Sequence, residues 1–350
     1  MTLKDSLLWP LTVPYGAVSH LRARAYRKGI LKQHRLAGNV VSIGNLTTGG
    51  TGKTPMVIWI AERLAAECKS VGILTRGYRG GSAPTPATSH TDVGAKQKAA
   101  TLTSDEVQLM QARLGDSVAF GVGADRFAHG QELAKRGINW FVLDDGFQHL
   151  QLARDADIVM IDATNPFGGG HLLPAGRLRE PKTALARADL IVVTRSAHSP
   201  AVEAAVHRET NAAIFYAQPE LDSVYSPSSA HLESHDAREQ DLFAFCGIGN
   251  PAAFVADLRS WGFKVVGHKF FPDHHRYAPE DIREIEAEAR AAGASGLIST
   301  EKDRFNCPCD SVAMNLWVCA ISLRIDREQD FWRTMMAVIA SHKSGITRWP

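Results

Sequence analysis

The sequence predicts an α/β fold built on a doubly wound parallel sheet, and three observations carry that prediction. From Asn39 to roughly Gln218 short apolar runs alternate with helical patterns. The first of these runs opens onto a glycine-rich turn and a helix, and a later one ends in two adjacent carboxylates. Such alternation is the pattern of a sheet covered by helices on both faces, with ligand-binding groups at the carboxyl ends of its strands. At 350 residues and 45% apolar content the chain can build two packed cores, and it is too apolar to be disordered. The net charge of +2 selects no class of partner.

The first 38 residues stand apart. Leu7, Leu8, Trp9, Leu11, Val13, Tyr15 and Val18 lie in a stretch with no charge between Asp5 and His20, and Arg22, Arg24, Arg27, Lys28, Lys32 and Arg35 follow without an intervening acid. Pro10 and Pro14 interrupt a run already shorter than the roughly 20 apolar residues that span a bilayer. The cations come after the apolar part, the reverse of a signal peptide. Two readings fit: an interfacial anchor with aromatic rings at headgroup depth and cations on anionic lipid, or a helix packed on the domain with a solvated basic face.

Val40-Val41-Ser42-Ile43 is the first strand, and it leads through Thr48-Gly49-Gly50-Thr51-Gly52-Lys53-Thr54-Pro55 into the apolar helix start Met56-Val57-Ile58. A nucleotide phosphate needs each part of that order. Glycines let backbone N–H groups turn inward, the new helix aims its positive end at the same charge, Lys53 adds a mobile cation and the Thr54 hydroxyl can ligate Mg²⁺. Gly49, Gly50, Thr51, Gly52, Lys53, Thr54 and Pro55 are therefore the candidate cofactor-binding residues, for ATP or GTP with Mg²⁺. The loop departs from the strict G-x-x-x-x-G-K-[ST] pattern, because Thr47 occupies the first glycine position and Thr48 stands where deviant phosphate loops carry a lysine.

Strands at Val71–Thr75, Val118–Val122, Trp140–Leu143, Asp157–Ile161 and Leu190–Thr194 continue the sheet, with helices over 54–68, 105–114, 125–136 and 200–210. Trp140-Phe141-Val142-Leu143 runs into Asp144-Asp145-Gly146-Phe147-Gln148-His149, which delivers two acids to a strand's carboxyl end. A metal bound to triphosphate needs such an acid, directly or through water. Gly80 to Ala100 has almost no large apolar residue and reads as a surface loop. After a polar stretch, a second α/β set follows: Leu242–Cys246, a helix from Pro251 to Trp261, Phe263–Val266, a helix from Glu280 to Ala292, and Leu297–Ser299. Five scattered cysteines, Cys307-Pro308-Cys309 among them, read as free thiols of a reducing compartment.

Three further segments offer acceptor-side chemistry. Ser104-Asp105-Glu106 starts a helix, where Ser104 can cap and the acids complement the dipole. Phe271-Pro272-Asp273-His274-His275 packs a carboxylate and two imidazoles into one loop; adjacent histidines share one metal ion with difficulty, so acid–base or orienting work suits them better than zinc. Leu173-Pro174-Ala175-Gly176-Arg177-Leu178-Arg179-Glu180-Pro181 carries two arginines fit for phosphate or sugar, and Arg76-Gly77-Tyr78-Arg79 adds cations after the second strand.

Together these segments resemble the tetraacyldisaccharide 4′-kinases, the lipid A 4′-kinase family. The resemblance covers nearly the whole chain: GNLTTGGTGKTP at 44–55, TRGYRG at 75–80, DDGFQH at 144–149, LLPAGRLREP at 172–181, FCGIGNP at 245–251, FPDHH at 271–275 and TEKD at 300–303. It implies a P-loop NTPase-like core that transfers the γ-phosphate of ATP to the 4′-hydroxyl of a tetraacyldisaccharide 1-phosphate at the cytoplasmic face of the inner membrane. It implies Lys53 and Thr54 as phosphate and Mg²⁺ ligands, Asp144 and Asp145 as the acidic pair at the metal, and Asp105 as general base assisted by His274. Arg76, Tyr78, Gln148, His149, Arg177 and Arg179 are the expected substrate contacts.

The expected organisation is an N-terminal amphipathic membrane-associated segment at 1–38, a P-loop kinase core at 39–221, a linker at 222–240 and a smaller C-terminal α/β lobe at 241–350. A lipid acceptor tips the N-terminal segment toward the anchor reading. Expected partners are the lipid substrate and the membrane surface, with no nucleic acid and no obligate protein partner. The chain departs from the family pattern at Ser104 and Val107, which flank the base where glycine and proline are usual, and at Arg177, where proline is usual.

Overall fold

The structure, a computed structural model, describes residues 3–77, 104–227 and 234–343. Helix α1 (Leu3–Arg27) is followed by β1 (Asn39–Asn45), α2 (Lys53–Ala66), β2 (Val71–Thr75), α3 (Asp105–Leu114), β3 (Val118–Val122), α4 (Arg126–Lys135), β4 (Trp140–Asp144), β5 (Ala156–Asp162), β6 (Leu190–Thr194), α5 (Pro200–His207) and β7 (Ala213–Tyr225). Then come α6 (Ser234–Glu239), β8 (Asp241–Cys246), α7 (Pro251–Ser260), β9 (Lys264–Phe270), α8 (Pro279–Ala291), β10 (Gly296–Thr300), α9 (Glu301–Arg304), β11 (Asn315–Ile325) and α10 (Glu328–Lys343). Two compact units result: Met1–Ser104, Met110–Gln218 and Leu323–Pro350 make the first, and Asp105–Leu109 with Pro219–Ser322 the second.

In the first unit the strands run in the order β3-β2-β4-β1-β5-β6-β7, all paired in parallel. Every residue of β1, β2, β4, β5 and β6 is buried, which is why these strands read as predominantly apolar runs. Leu36, Val40, Leu74, Leu133 and Phe141 pack together in one cluster, and Leu46, Phe147, Val159, Ile161 and Val193 in another. Register places Ile43 beside Asp144 and Asn45 beside Met160, so the phosphate loop and the paired acids leave neighbouring strands at the same, carboxyl edge. Gly44 is required here: a Cβ at that position would lie 2.5 Å from Cβ of Phe147.

The second unit has the strand order β11-β10-β8-β9, again parallel. Alternate residues of β8 point to opposite faces. Leu242, Ala244 and Cys246 pack with Phe254 and Leu258 of α7, while Phe243 and Phe245 pack with Ile282 and Ile285 of α8.

The doubly wound α/β class matches the sequence reading, and the compact units divide the chain at limits other than the expected ones. Residues 323–343 fall in the first unit instead of in a 241–350 lobe, because α10 docks there: the Trp59 ring meets Phe331 and Trp332 edge-on at 5.7 and 6.0 Å, and Trp332 Nε1 donates to Glu67 at 2.8 Å. Arg63 also pairs with Glu328. Within the expected linker at 222–240 the chain completes β7 and forms α6. The first turn of α3, carrying Asp105, belongs to the second unit. The Gly80–Ala100 loop and Tyr78 lie outside the described residues.

Candidate active site

Gly52 ends the phosphate loop with φ 85°, a left-handed conformation that costs glycine nothing, and α2 starts at the next residue. Thr194 on β6 donates its hydroxyl to the Thr51 carbonyl at 3.3 Å, and the Arg177 carbonyl accepts from Thr48 N at 2.8 Å. The LLPAGRLREP segment thus runs beside the loop, and Arg179 N donates to Leu46 O at 2.7 Å. Lys53 Nζ lies 3.2 Å from Asn45 Oδ1 and 3.5 Å from Asp145. Two buried polar atoms in this cradle have no protein partner, Asn45 Nδ2 and Thr51 Oγ1. A buried donor without an acceptor costs of order 1–3 kcal/mol, and phosphate oxygens are acceptors, so the residues present fit a bound triphosphate.

Asp144 is the last residue of β4, 5% exposed, and accepts from the Thr75 hydroxyl at 2.8 Å. Asp145 follows at φ 46°, an uncommon backbone for a non-glycine residue. Arg179 Nη1 holds its carboxylate at 2.7 and 2.8 Å. Arg126 Nη1 donates to its carbonyl at 3.4 Å. Burial alone would raise the Asp145 pKa, but the Lys53 and Arg179 charges outweigh it and hold the carboxyl at about 2. Among the described residues no cluster of three or more His, Cys, Asp or Glu side chains is poised to hold a metal. Mg²⁺ needs no such cage when phosphates supply most of its oxygens, and the set Thr54, Asp144 and Asp145 fits it on those terms.

In the second unit Asp105 is buried at the start of α3, and His274 Nδ1 approaches its two oxygens at 3.0 and 2.9 Å. His274 takes φ 62° in the loop after β9. That loop is fixed from below. Asp303, 1% exposed, accepts from Gly247 N at 2.7 Å and from the Tyr277 hydroxyl at 2.8 Å, while His274 N donates to Gly247 O at 3.0 Å. Burial would raise the Asp105 pKa, but the His274 hydrogen bond and the Lys302 charge leave it lowered. The same hydrogen bond raises the His274 pKa against burial and Lys302.

Lys302 Nζ sits 3.5 Å from His274 Nε2, 3.1 Å from Asp273 and 3.5 Å from Glu106. An ammonium cannot accept, so its contact with Nε2 is a hydrogen bond only in the tautomer whose proton is on Nδ1, facing Asp105. His275 turns away to Asp281 at 2.9 Å and takes no part.

The substrate-side candidates separate. Gln148 Nε2 donates to Asn45 O at 3.0 Å, and Arg179 is committed to Asp145, so both brace the first-unit loops. Arg177 and Arg76 are exposed. Burial, then the charges of Arg126, Arg154 and Arg22, push His149 down to about 4. Sequence reading passed over Arg126, and it noted Asn45 and Lys302 only within motifs. Arg126 had one local signal, the helix-capping Asp125 just before it, whose side chain accepts from Ala128 N at 3.0 Å.

The family model for the tetraacyldisaccharide-1-P 4′-kinase, LpxK, matches residues 4–340. The chain is 41% identical over 302 residues to the tetraacyldisaccharide 4′-kinase of Geobacter metallireducens, covering 85% of this chain and 87% of that one. It is 34% identical over 351 residues to the enzyme of the same name from Desulfotalea psychrophila, covering 97% and 99%. The crystal structure of "apo" form LpxK from Aquifex aeolicus in complex with ATP superposes with a TM-score of 0.72 at 28% identity, over 96% of this chain and all of that one. Sequence and fold agree in that likeness, and the chain belongs to the tetraacyldisaccharide-1-P 4′-kinase family.

Proposed function

We propose that this protein transfers the γ-phosphate of ATP to the 4′-hydroxyl of a tetraacyldisaccharide 1-phosphate, the kinase step its family's name describes. The observation that carries the reading is the buried Asp105 carboxylate bonded to His274, in a chain that also holds a phosphate cradle. A nucleotide switch has no use for a proton acceptor of this kind.

The loop amides and Lys53 bind the triphosphate and offset the charge that grows on the oxygen bridging to the departing ADP. Thr54 with Asp144 and Asp145 would hold Mg²⁺, which supplies charge neutralisation on the phosphate oxygens. Asp105 accepts the hydroxyl proton as the acceptor oxygen bonds to the γ-phosphorus and the bond to ADP breaks. His274, with its proton on Nδ1, orients Asp105 and stabilises its charge until the proton arrives. The exposed cations Arg76 and Arg177 are the groups suited to the acceptor's own phosphate, with Tyr78 and His149 on the sugar.

A four-chain acceptor resides in a bilayer, so its kinase works at the interface, here the cytoplasmic face of the inner membrane. No helix among the described residues is long and apolar enough to cross a membrane. Helix α1 has one side inward: Thr12 is buried, Tyr15 Oη donates to Arg179 O at 3.0 Å and Trp9 meets His171 edge-on at 5.3 Å. Leu11, Val18 and Leu21, spaced i, i+7 and i+10, are 55, 65 and 62% exposed on another side. That apolar stripe above a basic last turn supports peripheral attachment.

The test is purified protein with radiolabelled ATP, Mg²⁺ and the lipid disaccharide, with and without vesicles of phosphatidylethanolamine and phosphatidylglycerol. Label should appear in the lipid, and free phosphate released with the lipid unlabelled would overturn the kinase reading. Leu11→Ser, Val18→Ser and Leu21→Ser together should reduce co-flotation with the vesicles several-fold; unchanged flotation would remove α1 from the attachment.

A further inference from the structure

We propose that Asn306 is a positioning residue for the general base, holding the Asp105 carboxylate in one orientation by donating from its carboxamide to Oδ2. The inference rests on the kinase reading above, and it assigns work to a residue outside every motif that led there. Asn306 Nδ2 lies 3.0 Å from Asp105 Oδ2, a contact that joins residues 201 positions apart.

The carboxylate has a defined set of partners. Oδ1 accepts from Glu106 N at 2.9 Å, His274 Nδ1 bridges both oxygens, and Asn306 takes the remaining side of Oδ2. Without Asn306 the hydrogen bonds of this carboxylate among the described residues are the backbone amide, which fixes Oδ1 alone, and the imidazole, a side chain that can turn with it. The carboxamide adds a fixed donor at Oδ2. It is also the one donor of the three that carries no charge in any protonation state and belongs neither to the base's helix nor to the histidine loop.

Backbone bonds, not this side chain, hold the Asn306 segment. Asn306 N donates to Asp303 O at 2.9 Å and its carbonyl accepts from Tyr277 N at 3.0 Å. A substitution that removes the carboxamide therefore leaves the loop's own hydrogen bonds in place. The charged and titratable groups facing Asp105 are Glu106 on its own helix, Asp273 and His274 on the loop after β9, and Lys302 on α9. The hydrogen bond of the Asn306 carboxamide goes to Asp105 and to none of these groups, so its removal acts on Asp105 directly.

A donor to the carboxylate favours the charged form, so its loss raises the pKa of the base. The experiment measures kcat, KM for ATP and the pH dependence of kcat/KM for the lipid acceptor in the full-length enzyme, comparing wild type with Asn306→Ala and Asn306→Asp. Asn306→Ala should lower kcat about 10-fold, leave KM for ATP within about 2-fold, and move the acidic limb of the profile to higher pH. Asn306→Asp, which sets a second carboxylate against the first, should move that limb further in the same direction. Asn306→Gln, which keeps the carboxamide, should lie between wild type and Ala.

Unchanged kcat and an unmoved limb in Asn306→Ala would overturn the proposal. So would a loss of kcat with an unmoved limb and a lowered melting temperature, since that is what a packing role produces. If wild type transfers no phosphate to the lipid, the kinase reading itself fails; if wild type transfers and Asp105→Asn does not while Asn306→Ala is silent, only the positioning role falls.

Discussion

Asp145 in the first unit and Asp105 in the second are both held below the ordinary carboxylate range, yet by different company. Asp145 is gripped by two fixed cations, Arg179 at 2.7 Å and Lys53 at 3.5 Å, and the result is a carboxyl at about 2. Asp105 is gripped by an imidazole, a carboxamide and a backbone N–H, with the nearest ammonium, Lys302, one group further away on the far nitrogen of His274. A carboxylate neutralised by permanent cations is a counter-ion: it keeps Lys53 and Arg179 in place and takes no proton near neutral pH. A carboxylate held by hydrogen-bond donors that are not permanent charges stays available as a proton acceptor. On the function proposed above, one unit would manage phosphate charge and the other would move a proton.

Lys53→Ala attacks the first half of that contrast and has the largest expected effect. It removes the cation that the triphosphate and Asp145 would share, and kcat should fall by about 10³-fold or more. Steady-state phosphorylation of the lipid acceptor measures it. A rate within a few-fold of wild type would mean that the loop shapes the sheet edge and holds no phosphate.

Asp105→Asn attacks the second half. The amide keeps the size of the carboxyl and loses its basicity, so kcat should drop by roughly 10²–10⁴-fold while calorimetric ATP affinity stays within about 2-fold of wild type. Loss of affinity in proportion to kcat would make Asp105 a structural acid and erase the distinction between the units.

The sequence revealed the two halves unequally. Strands β1 to β6 and helix α2 were legible because each is buried on both faces or periodic on one, and the phosphate loop was legible because its glycines, lysine and threonine are contiguous. The last part of β7 was not, since Asp222 and Ser223 are exposed and read as a linker, although Val224 is buried. The destination of α10 was not either: an amphipathic pattern states that a helix has a buried face and not which unit buries it, and Trp59, Phe331 and Trp332 meet across more than 270 residues. The Asp105–His274 pair came from a family resemblance. Their spacing of 169 residues carries no local signal, and Asn306, Lys302 and Arg126 make contacts that only the folded chain displays.

The smallest expected effect concerns how each unit's charges respond to acid, and His149 isolates it. Burial and the charges of Arg126, Arg154 and Arg22 lower its pKa from 6.5 to about 4. The unfolded chain takes up this proton as pH falls through 6.5 and the folded chain resists until about 4, so the unfolded state binds more protons across that window and stability declines as pH falls from 6.5 toward 4. Asp145 behaves alike in sign and differs in place: its contribution is complete above 3.8 and is lost as pH falls toward 2. His149→Gln should flatten the first of these declines and leave the second. Urea unfolding at pH 7, 6 and 5 compares the slopes for wild type and variant, with the Asp145 window lying below all three. Identical slopes would mean that His149 titrates as a solvated imidazole, and that the cations around it are spread too widely to form the phosphate-facing side of the contrast.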